Sequence, residues 1–213
     1  MLQAAPVNGL RERKKRATRE ALMASALRLA LERGLEGVRV DDIAAEAGVS
    51  PRTFNNYFTG KHEAIAARHT DRIERSVAVL RARPPEEPLW EALTEAMVRP
   101  WEQDAGDAGS PPPPELLASI RVLSREPALR AETLRVALAA DGALAAAVAE
   151  RTGTDLARDL YPHLVAAAAT AAVQAAVGHW LRADPPVSLA PLLRDALRAL
   201  AAGLPAPTEE PVT

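Results

Sequence analysis

The chain has 213 residues, no cysteine and a formal net charge of −2, and 48% of its residues are hydrophobic but only 3% aromatic. The lack of cysteine excludes a disulfide framework and a thiolate metal site, and the net charge argues against a uniformly basic nucleic-acid-binding protein. Alanine, the best helix former, is abundant and strand-type residues are scarce, so an all-α fold is predicted.

The charge is distributed unevenly along the chain. Residues 1–62 contain 11 Lys/Arg and 7 Asp/Glu, a net charge of +4, whereas residues 63–213 contain 15 and 21, a net charge of −6. A basic head on an acidic body can meet a polyanion through the head alone. Basic N-terminal arms are common, so this asymmetry by itself is a modest signal.

A basic run, "KKRATRE", precedes "ALMASALRLAL" and superficially imitates a signal peptide. Arg28 interrupts the apolar run, and the spacing of Leu22, Ala26, Leu29 and Ala30 is that of an amphipathic helix. No stretch approaches the roughly 20 apolar residues that a membrane-spanning helix needs. We therefore expect a cytoplasmic protein that does not interact with a membrane.

Two helices are predicted before residue 48. The first runs from about residue 16 to 33 and ends at Gly34, a residue type that accepts the left-handed conformation after a helix. A short helix follows over 41–47, with aspartates at its positive N-terminus, and Gly48 ends it.

Two more helices are predicted before residue 82. Ser50 has the character of an N-cap, and Pro51 fits the first helical position, where its missing N–H costs nothing. This short helix is broken at Thr59-Gly60, and a longer one runs from about Lys61 to Arg81.

Five helices are predicted in the rest of the chain, at about 88–103, 114–125, 127–151, 155–183 and 188–203. The proline-rich segment 104–114 is predicted as a loop, and neither a repeat nor a convincing strand is found. The predicted organisation is a flexible basic arm (1–15), a helix-turn-helix DNA-binding domain (16–62), a helical effector-binding and dimerisation domain (63–204) and a disordered tail (205–213).

The stretch "SPRTFNNYF", residues 50–58, holds both phenylalanines and one of the two tyrosines of the chain. Two short helices joined by a tight turn containing glycine suggest a helix-turn-helix. Ile43 and Ala44 are predicted to face inward from the first short helix. Phe54 and Phe58, one turn apart, are predicted to hold the second helix in the core.

The other face of this second helix is polar. Arg52 can donate two hydrogen bonds to guanine, and Asn55 or Asn56 can pair bidentately with adenine in the major groove. Thr53, Tyr57 and Lys61 can hold phosphates and so fix the register on DNA. The alternative is an ordinary solvated surface, which the helix-turn-helix setting makes the weaker interpretation.

Residues 21–65, "ALMASALRLALERGLEGVRVDDIAAEAGVSPRTFNNYFTGKHEAI", resemble the TetR family of transcriptional regulators. The elements that carry the resemblance are "LRLALERG", "VDDIAAEAGVS", "RTFNNYF" and "GKHEAI". The resemblance is strong over about residues 16–70. Beyond that segment, family members share helical architecture more than sequence.

The resemblance implies a homodimer whose N-terminal heads bind adjacent major grooves of a palindromic, double-stranded operator, and whose helical body holds a small-molecule effector that releases the DNA. Repression is the usual behaviour in the family.

The resemblance also implies which residues contact DNA. By motif position, Pro51, Arg52 and Asn55 would face the bases, with Asn56 as a further candidate. The residues implied to face phosphates are Thr53, Tyr57 and Lys61. Many members carry an aromatic residue at the position of Asn55, so a family consensus operator is not expected. The basic run 11–19 is expected either to contact DNA, over the backbone or in a minor groove, or only to solubilise the protein.

Two apolar stripes on the last helices are candidates for the dimer interface, as a four-helix bundle across a two-fold axis. The alternative is that both stripes only fill the core of one subunit. The candidate interface residues are Leu164, Ala168, Ala171, Ala175, Gly178, Leu189, Leu193, Ala196, Leu197 and Leu200.

The central helices supply candidates for an effector pocket, although each residue is individually more typical of plain core or surface. The candidates are Met97, Trp101, Leu117, Ile120, Arg121, Leu134, Leu138 and Gln174. The pattern "PALRAETL…LAAAVAERTGTDLARDLYPHL…W" resembles TetR subgroups with acyl-CoA-like ligand domains, which implies a mostly apolar effector.

An enzyme is not expected. The four histidines, His62, His69, His163 and His179, form no tight cluster with carboxylates at zinc spacing, and neither a glycine-rich phosphate loop nor a nucleophile elbow is present. No catalytic residue, metal or cofactor is therefore predicted. The stronger rival to a regulator is a helical protein–protein adaptor that has lost specific DNA binding.

Overall fold

The computed structural model describes residues 7–105 and 110–205, without the side chains of residues 7–9 and 136–141. These residues contain no β-strand, which confirms the predicted all-α fold, and no helix among them is both long and apolar enough to cross a bilayer. The helices are α1 (Val7–Arg33), α2 (Val40–Glu46), α3 (Pro51–Asn55), α4 (Lys61–Ala82), α5 (Leu89–Ala105), α6 (Pro114–Arg125), α7 (Pro127–Thr152), α8 (Tyr161–Trp180) and α9 (Leu189–Ala201).

Helix α1 begins at Val7, nine residues before the predicted start at 16. The segment 10–16 consists of leucine, arginine, lysine and glutamate, all good helix formers, and contains neither glycine nor proline. Extending a helix that is already packed avoids the cost of nucleation. The predicted flexible arm is therefore corrected to a helical extension over 7–15, while residues 1–6 lie outside the described part of the chain.

Helix α8 begins at Tyr161, six residues after the predicted start at 155. Pro162 is accommodated in the first turn of α8 because it has no N–H to donate to a preceding turn. Upstream of it, the backbone N–H of Asp155 donates to Asp159 Oδ2 at 2.7 Å, which closes a turn instead of a helix. The predicted loop 104–114 begins later than expected, because α5 includes residues 104 and 105. Residues 106–109 of this loop lie outside the described part of the chain, and so do residues 206–213 of the predicted tail.

The chain divides into two compact units. Unit 1 comprises the residues up to Thr70 together with Ala118–Ala137, and unit 2 comprises Asp71–Leu117 and the residues from Leu138 onwards. The predicted boundary between the two domains was at residue 62, and residues 118–137 were predicted to belong to the C-terminal domain (63–204). Leu123 and Leu129 are buried in the core of unit 1, which explains why this segment belongs to the head.

The core of unit 1 brings α1, α2 and α3 together in the predicted helix-turn-helix. Ala44 on α2 is fully buried, and its small side chain lets the neighbouring helix approach closely. Gly48 adopts a φ of +69° in the turn, and the next N–H, from Val49, donates to Ala44 O at 2.9 Å. The buried residues of this core include Leu22, Ala26, Leu29, Val38, Ile43, Ala44, Phe54 and Phe58.

The core of unit 2 is built from leucine, valine and alanine. Helix α9 packs on α8 and α5, and α5 also contacts α8. An ion pair of 2.6 Å between Arg194 Nη1 and Glu102 Oε1 joins α9 to α5 at the edge of this core. The buried residues include Leu80, Leu93, Val98, Leu144, Val148, Val165, Ala169, Leu193 and Leu197.

Candidate nucleic-acid interface

Helix α3 begins with the predicted cap. Ser50 Oγ accepts a hydrogen bond of 3.1 Å from the backbone N–H of Thr53, and it lies 2.9 Å from Thr53 Oγ1. Pro51 occupies the first turn, where no N–H is required. This cap stabilises a helix of only five residues, which would be marginal on its own.

Phe54 and Phe58 hold α3 in the core of unit 1, as predicted. Phe54 is fully buried and Phe58 is 3% exposed. Their ring centroids lie 5.7 Å apart, and the Phe58 N–H donates to Phe54 O at 3.0 Å, so the chain keeps a helical turn beyond the end of α3. The backbone that carries Asn56 and Tyr57 is therefore held in a helical turn as well.

The four predicted base-facing residues, Pro51, Arg52, Asn55 and Asn56, are all exposed. At about 100° per residue they occupy one arc of about 140° around the helix axis. Asn56 is the C-cap residue, one position beyond α3. The structure thus gathers a guanidinium and two side-chain amides, all able to donate hydrogen bonds, on one small surface.

Two of the predicted phosphate-facing residues, Thr53 and Tyr57, lie beyond one edge of this arc. Thr53 and Tyr57 are half-buried, and the Tyr57 ring packs beside Phe58 with centroids 6.5 Å apart. The Thr53 hydroxyl takes part in the cap through Ser50. Both residues therefore have a packing or capping role, and their phosphate contacts stay predictions.

Lys61 has a structural role that the sequence did not indicate. Its Nζ donates to Leu35 O at 2.8 Å and to Val38 O at 3.1 Å, which fastens the start of α4 to the connector between α1 and α2. An ammonium has three N–H donors, so two are used inside unit 1 and one remains for a phosphate. The predicted phosphate contact of Lys61 stays a prediction, and the structure adds this structural role to it.

A charged contact fixes α2 against α1. Arg28 on α1 pairs with Glu32 at 2.5 Å and also with Glu46 at the end of α2. Hydrogen bonding to Glu32, supported by Glu46, raises the pKa of the Arg28 guanidinium above its ordinary value. The pairs are exposed, so they orient α2 more than they stabilise it.

The N-terminal part of α1 carries exposed basic residues that extend beyond the core of unit 1. Every residue from Leu10 to Ala17 is exposed, and the buried stripe of α1 starts only at Leu22. Arg19 lies between these parts, with its Cζ 5.5 Å from the centre of the Phe58 ring. The unbroken run of helix formers from residue 10 onwards was the sequence signal for this extension.

The predicted effector-pocket residues do not form one group. Met97 and Leu117 are buried in unit 2, and Trp101 is half-buried with Arg72 Cζ 3.7 Å from its ring centre. Leu134 is 61% exposed and Gln174 is exposed, so neither side chain is enclosed in the single chain, and their place in an effector pocket stays a prediction.

The remaining pocket candidates lie elsewhere. Ile120 and Arg121 are half-buried residues of unit 1, and the side chain of Leu138 lies outside the description. Unit 1 also contains a cleft of about 340 Å³ between the end of α1 and α6, and no predicted pocket residue lines it. Its lining residues are Ala30, Leu31, Glu32, Gly34, Leu35, Ala118, Ser119, Val122, Leu123 and Glu126.

The predicted dimer-interface residues divide by exposure. Leu193 and Leu197 are fully buried in the core of unit 2, so their assignment to the interface is wrong. Leu164 is 56% exposed, and Ala171 and Ala175 are exposed on the same helix, α8. The other predicted residues are half-buried: Ala168, Gly178, Leu189, Ala196 and Leu200.

Within the described ranges, no group of three or more histidine, aspartate or glutamate side chains is arranged to hold a metal ion. His163 Nε2 lies 2.9 Å from Leu156 O, a contact that fixes the turn before α8.

Two family models match the chain over separate ranges. Residues 22–67 match the model described as bacterial regulatory proteins, tetR family, which covers the helix-turn-helix. Residues 87–205, more than half of the chain, match the model of the MftR C-terminal domain.

The chain is also similar to characterised and solved relatives. It is 35% identical over 183 residues to the HTH-type transcriptional regulator TcmR of Streptomyces glaucescens, covering 83% of this chain and 79% of that protein. Its fold is similar to that of FadR from Thermus thermophilus in complex with lauroyl-CoA (TM-score 0.54, 20% identity, 92% of this chain and 98% of that chain). The fold is also similar to that of FadR from Bacillus subtilis in complex with stearoyl-CoA, with a TM-score of 0.55 and 18% identity over 86% of this chain and 98% of that chain.

Proposed function

Because the chain belongs to the TetR family of transcriptional regulators, we propose that it is a homodimeric repressor of this family, which binds a palindromic operator and is released by a mostly apolar small molecule. Members of the family are DNA-binding regulators and not enzymes, which agrees with the prediction that the chain has no catalytic site. A protein that acts on operator DNA in a bacterium works in the cytoplasm.

The exposed arc of α3 is the observation that carries the DNA-binding part of the proposal. Arg52 can donate two hydrogen bonds to guanine, and Asn55 or Asn56 can pair with adenine, in a major groove wide enough for a helix. Pro51 lies beside them and can contact bases through its apolar ring. The cap and the two buried phenylalanines pre-order the backbone that carries these side chains, so α3 itself does not have to form on binding.

The exposed face of α8 supports the homodimer. Leu164, Ala171 and Ala175 are exposed, and Ala168 and Gly178 are half-buried. Small residues allow two helices to approach closely, and a two-fold axis would place the same face of each subunit in contact. We propose that such a dimer binds two half-sites about one helical turn apart, the usual spacing for helix-turn-helix dimers.

The effector part of the proposal follows from the apolar side chains of unit 2 and from the solved relatives. Met97, Leu117 and Trp101 are buried or half-buried there, and the two FadR proteins were solved with lauroyl-CoA and stearoyl-CoA. We therefore propose an apolar effector, with fatty acyl-CoA thioesters as the first compounds to test.

A selection experiment tests this function. The purified full-length chain would select duplexes from a random pool, with excess unrelated DNA present. We expect an inverted repeat with half-site centres about one helical turn apart. Recovery of no shared sequence would contradict the proposed regulator and support the adaptor alternative.

Release of the selected operator would then be measured. Acyl-CoA thioesters of increasing chain length would be titrated in, with free coenzyme A as the matched control for the charged portion. Release that strengthens with chain length while free coenzyme A has no effect would support an apolar effector. Equal release by both would contradict it.

A further inference from the structure

The exposed extension of α1 carries a continuous basic face. Six of the residues 11–20 are Lys or Arg and two are Glu. At about 100° per residue, four of the six fall within one arc of about 140° that contains no carboxylate, while Glu12 lies just outside it. We name this arc the basic face; it consists of Arg11, Lys14, Lys15 and Arg19.

The basic face points to the side of α1 on which α3 lies. Arg11 and Leu22 are separated by 11 residues, about three helical turns, so they share a face, and Leu22 is fully buried in the core of unit 1. The Arg19 guanidinium lies 5.5 Å from the Phe58 ring centre, and Phe58 packs on Phe54 of α3. The basic face therefore continues the core-facing stripe of α1 past the edge of the core.

The arrangement favours a polyanionic partner. Arg11, Lys15 and Arg19 follow one another at a spacing of four residues, where like charges repel and destabilise a helix. Among the described side chains, no carboxylate forms an ion pair with this row. Arg19 Nη1 instead contacts Met23 Sδ at 3.6 Å, and the neighbouring Lys14 accepts a hydrogen bond of 3.0 Å from the Thr18 hydroxyl through its backbone carbonyl oxygen. A row of phosphates would remove the repulsion.

We propose that the basic face binds the phosphate backbone of duplex DNA just outside the half-site contacted by α3. The extension reaches about 16 Å from Leu22 to Arg11, at 1.5 Å per residue, which is long enough to meet several phosphates. An α-helix about 10–12 Å in diameter cannot enter a minor groove about 6 Å wide, so the contact is to phosphates and not to base edges. This inference rests on the proposed function, because it takes α3 to lie on DNA.

The test compares two double variants that remove the same charge from opposite faces of α1. Arg11→Ala/Lys15→Ala changes the basic face, and Arg13→Ala/Arg16→Ala is the matched control on the other side. Alanine keeps the helix propensity high, and circular dichroism would verify equal helix content. Affinity for the selected operator would be measured from 50 to 200 mM salt, on a duplex with flanking DNA and on one trimmed to the half-sites.

On the flanked duplex, we expect the basic-face variant to reduce the slope of log affinity against log salt by about 1.8 per subunit, because each lost phosphate contact contributes about 0.9. Between 50 and 200 mM salt, the affinity of the wild type would then fall by a factor about ten times larger, per subunit, than the affinity of the basic-face variant. The control variant should keep a slope near that of the wild type, and trimming the duplex should abolish the difference. Base preference should be the same in all three proteins.

Three results would overturn the inference. Equal slopes for the wild type and the basic-face variant would mean that this face does not contact DNA. Equal changes in both variants would mean that only net charge matters. A change in dimerisation without a change in slope would mean that the extension binds the acidic body of a second copy. Failure of the wild type to select any operator would instead contradict the proposed function itself.

Discussion

Units 1 and 2 present opposite residue types at the surfaces proposed to bind partners. Unit 1 buries Phe54 and Phe58 and exposes Arg52 and Asn55, whereas unit 2 buries leucines and exposes alanines on α8. A guanidinium or an amide has hydrogen-bonding chemistry that identifies its partner, so the surface of unit 1 points to nucleic-acid bases. An alanine face specifies only close approach, so its partner has to be inferred from symmetry.

Removing the support of α3 should have the largest effect. Phe54 is fully buried, and Phe54→Ala is expected to cost about 3–5 kcal/mol of stability in unit 1 by leaving a cavity in the helix-turn-helix core. Chemical denaturation would measure the loss, and DNA binding should fail with it. Phe54→Leu, which fills more of the space, is the control and should retain much of both properties.

A charge placed on α8 tests whether that face is an interface. Ala175 is exposed in the single chain, so Ala175→Glu should leave the fold intact while burying two unpaired carboxylates at a two-fold contact. We expect dimerisation to weaken by about 2–5 kcal/mol, measured by sedimentation velocity. Ala143→Glu, at an exposed position on α7, is the matched control. A dimer unaffected by Ala175→Glu would exclude this face.

Replacing Lys61 separates its structural role from a phosphate contact. Lys61→Met keeps the side-chain length but leaves Leu35 O and Val38 O without their charged donor. The free energy of unfolding should fall by about 1–3 kcal/mol, measured by thermal denaturation. Lys15→Met, at an exposed position, should leave stability almost unchanged. Unchanged stability with a uniform loss of DNA binding would contradict the structural role and support a phosphate contact alone.

A pH effect in unit 2 is expected to be the smallest. Arg83 holds the pKa of Glu87 below its ordinary value of 4.5, with a further contribution from Arg151. The charged form of Glu87 therefore stabilises the fold above pH 4.5, and this contribution is lost as the pH falls through the lowered pKa. Glu87→Gln should lower the melting temperature at pH 7, and the difference from the wild type should shrink as the pH falls below 4.5 through the lowered pKa. Glu86→Gln, its exposed neighbour, is the control, and a difference that did not shrink on acidification would contradict this assignment.

The sequence predicted the helix-turn-helix of unit 1 well because its signals are local, whereas it did not show that residues 118–137 complete the core of this unit. Ser50, Pro51 and Gly48 mark helix ends within a few residues, and the spacing of Phe54 and Phe58 shows which face is buried. The role of Lys61 could not be predicted in this way, because its partners lie 26 and 23 residues away in the chain.

In unit 2 the sequence predicted helices but not the surroundings of each residue. Leu193 and Leu197 belong to the same stripe as Leu189 and Leu200, and only the packing of α9 on α5 and α8 decides that the first two are fully enclosed. Leucine spacing shows that a helix has an apolar face and not which subunit covers it. The exposure of Leu134 likewise depends on which helices pack against α7.

The most direct test of DNA readout by α3 is a pair of binding titrations with Arg52→Ala and Asn55→Ala. Each variant would be titrated with the selected operator, with operators changed at one base pair, and with random duplex. We predict a loss of about 1–3 kcal/mol on the operator and a loss of preference at one base-pair position for each variant. Equal losses on operator and random DNA would show that these residues do not contact bases and would contradict the account.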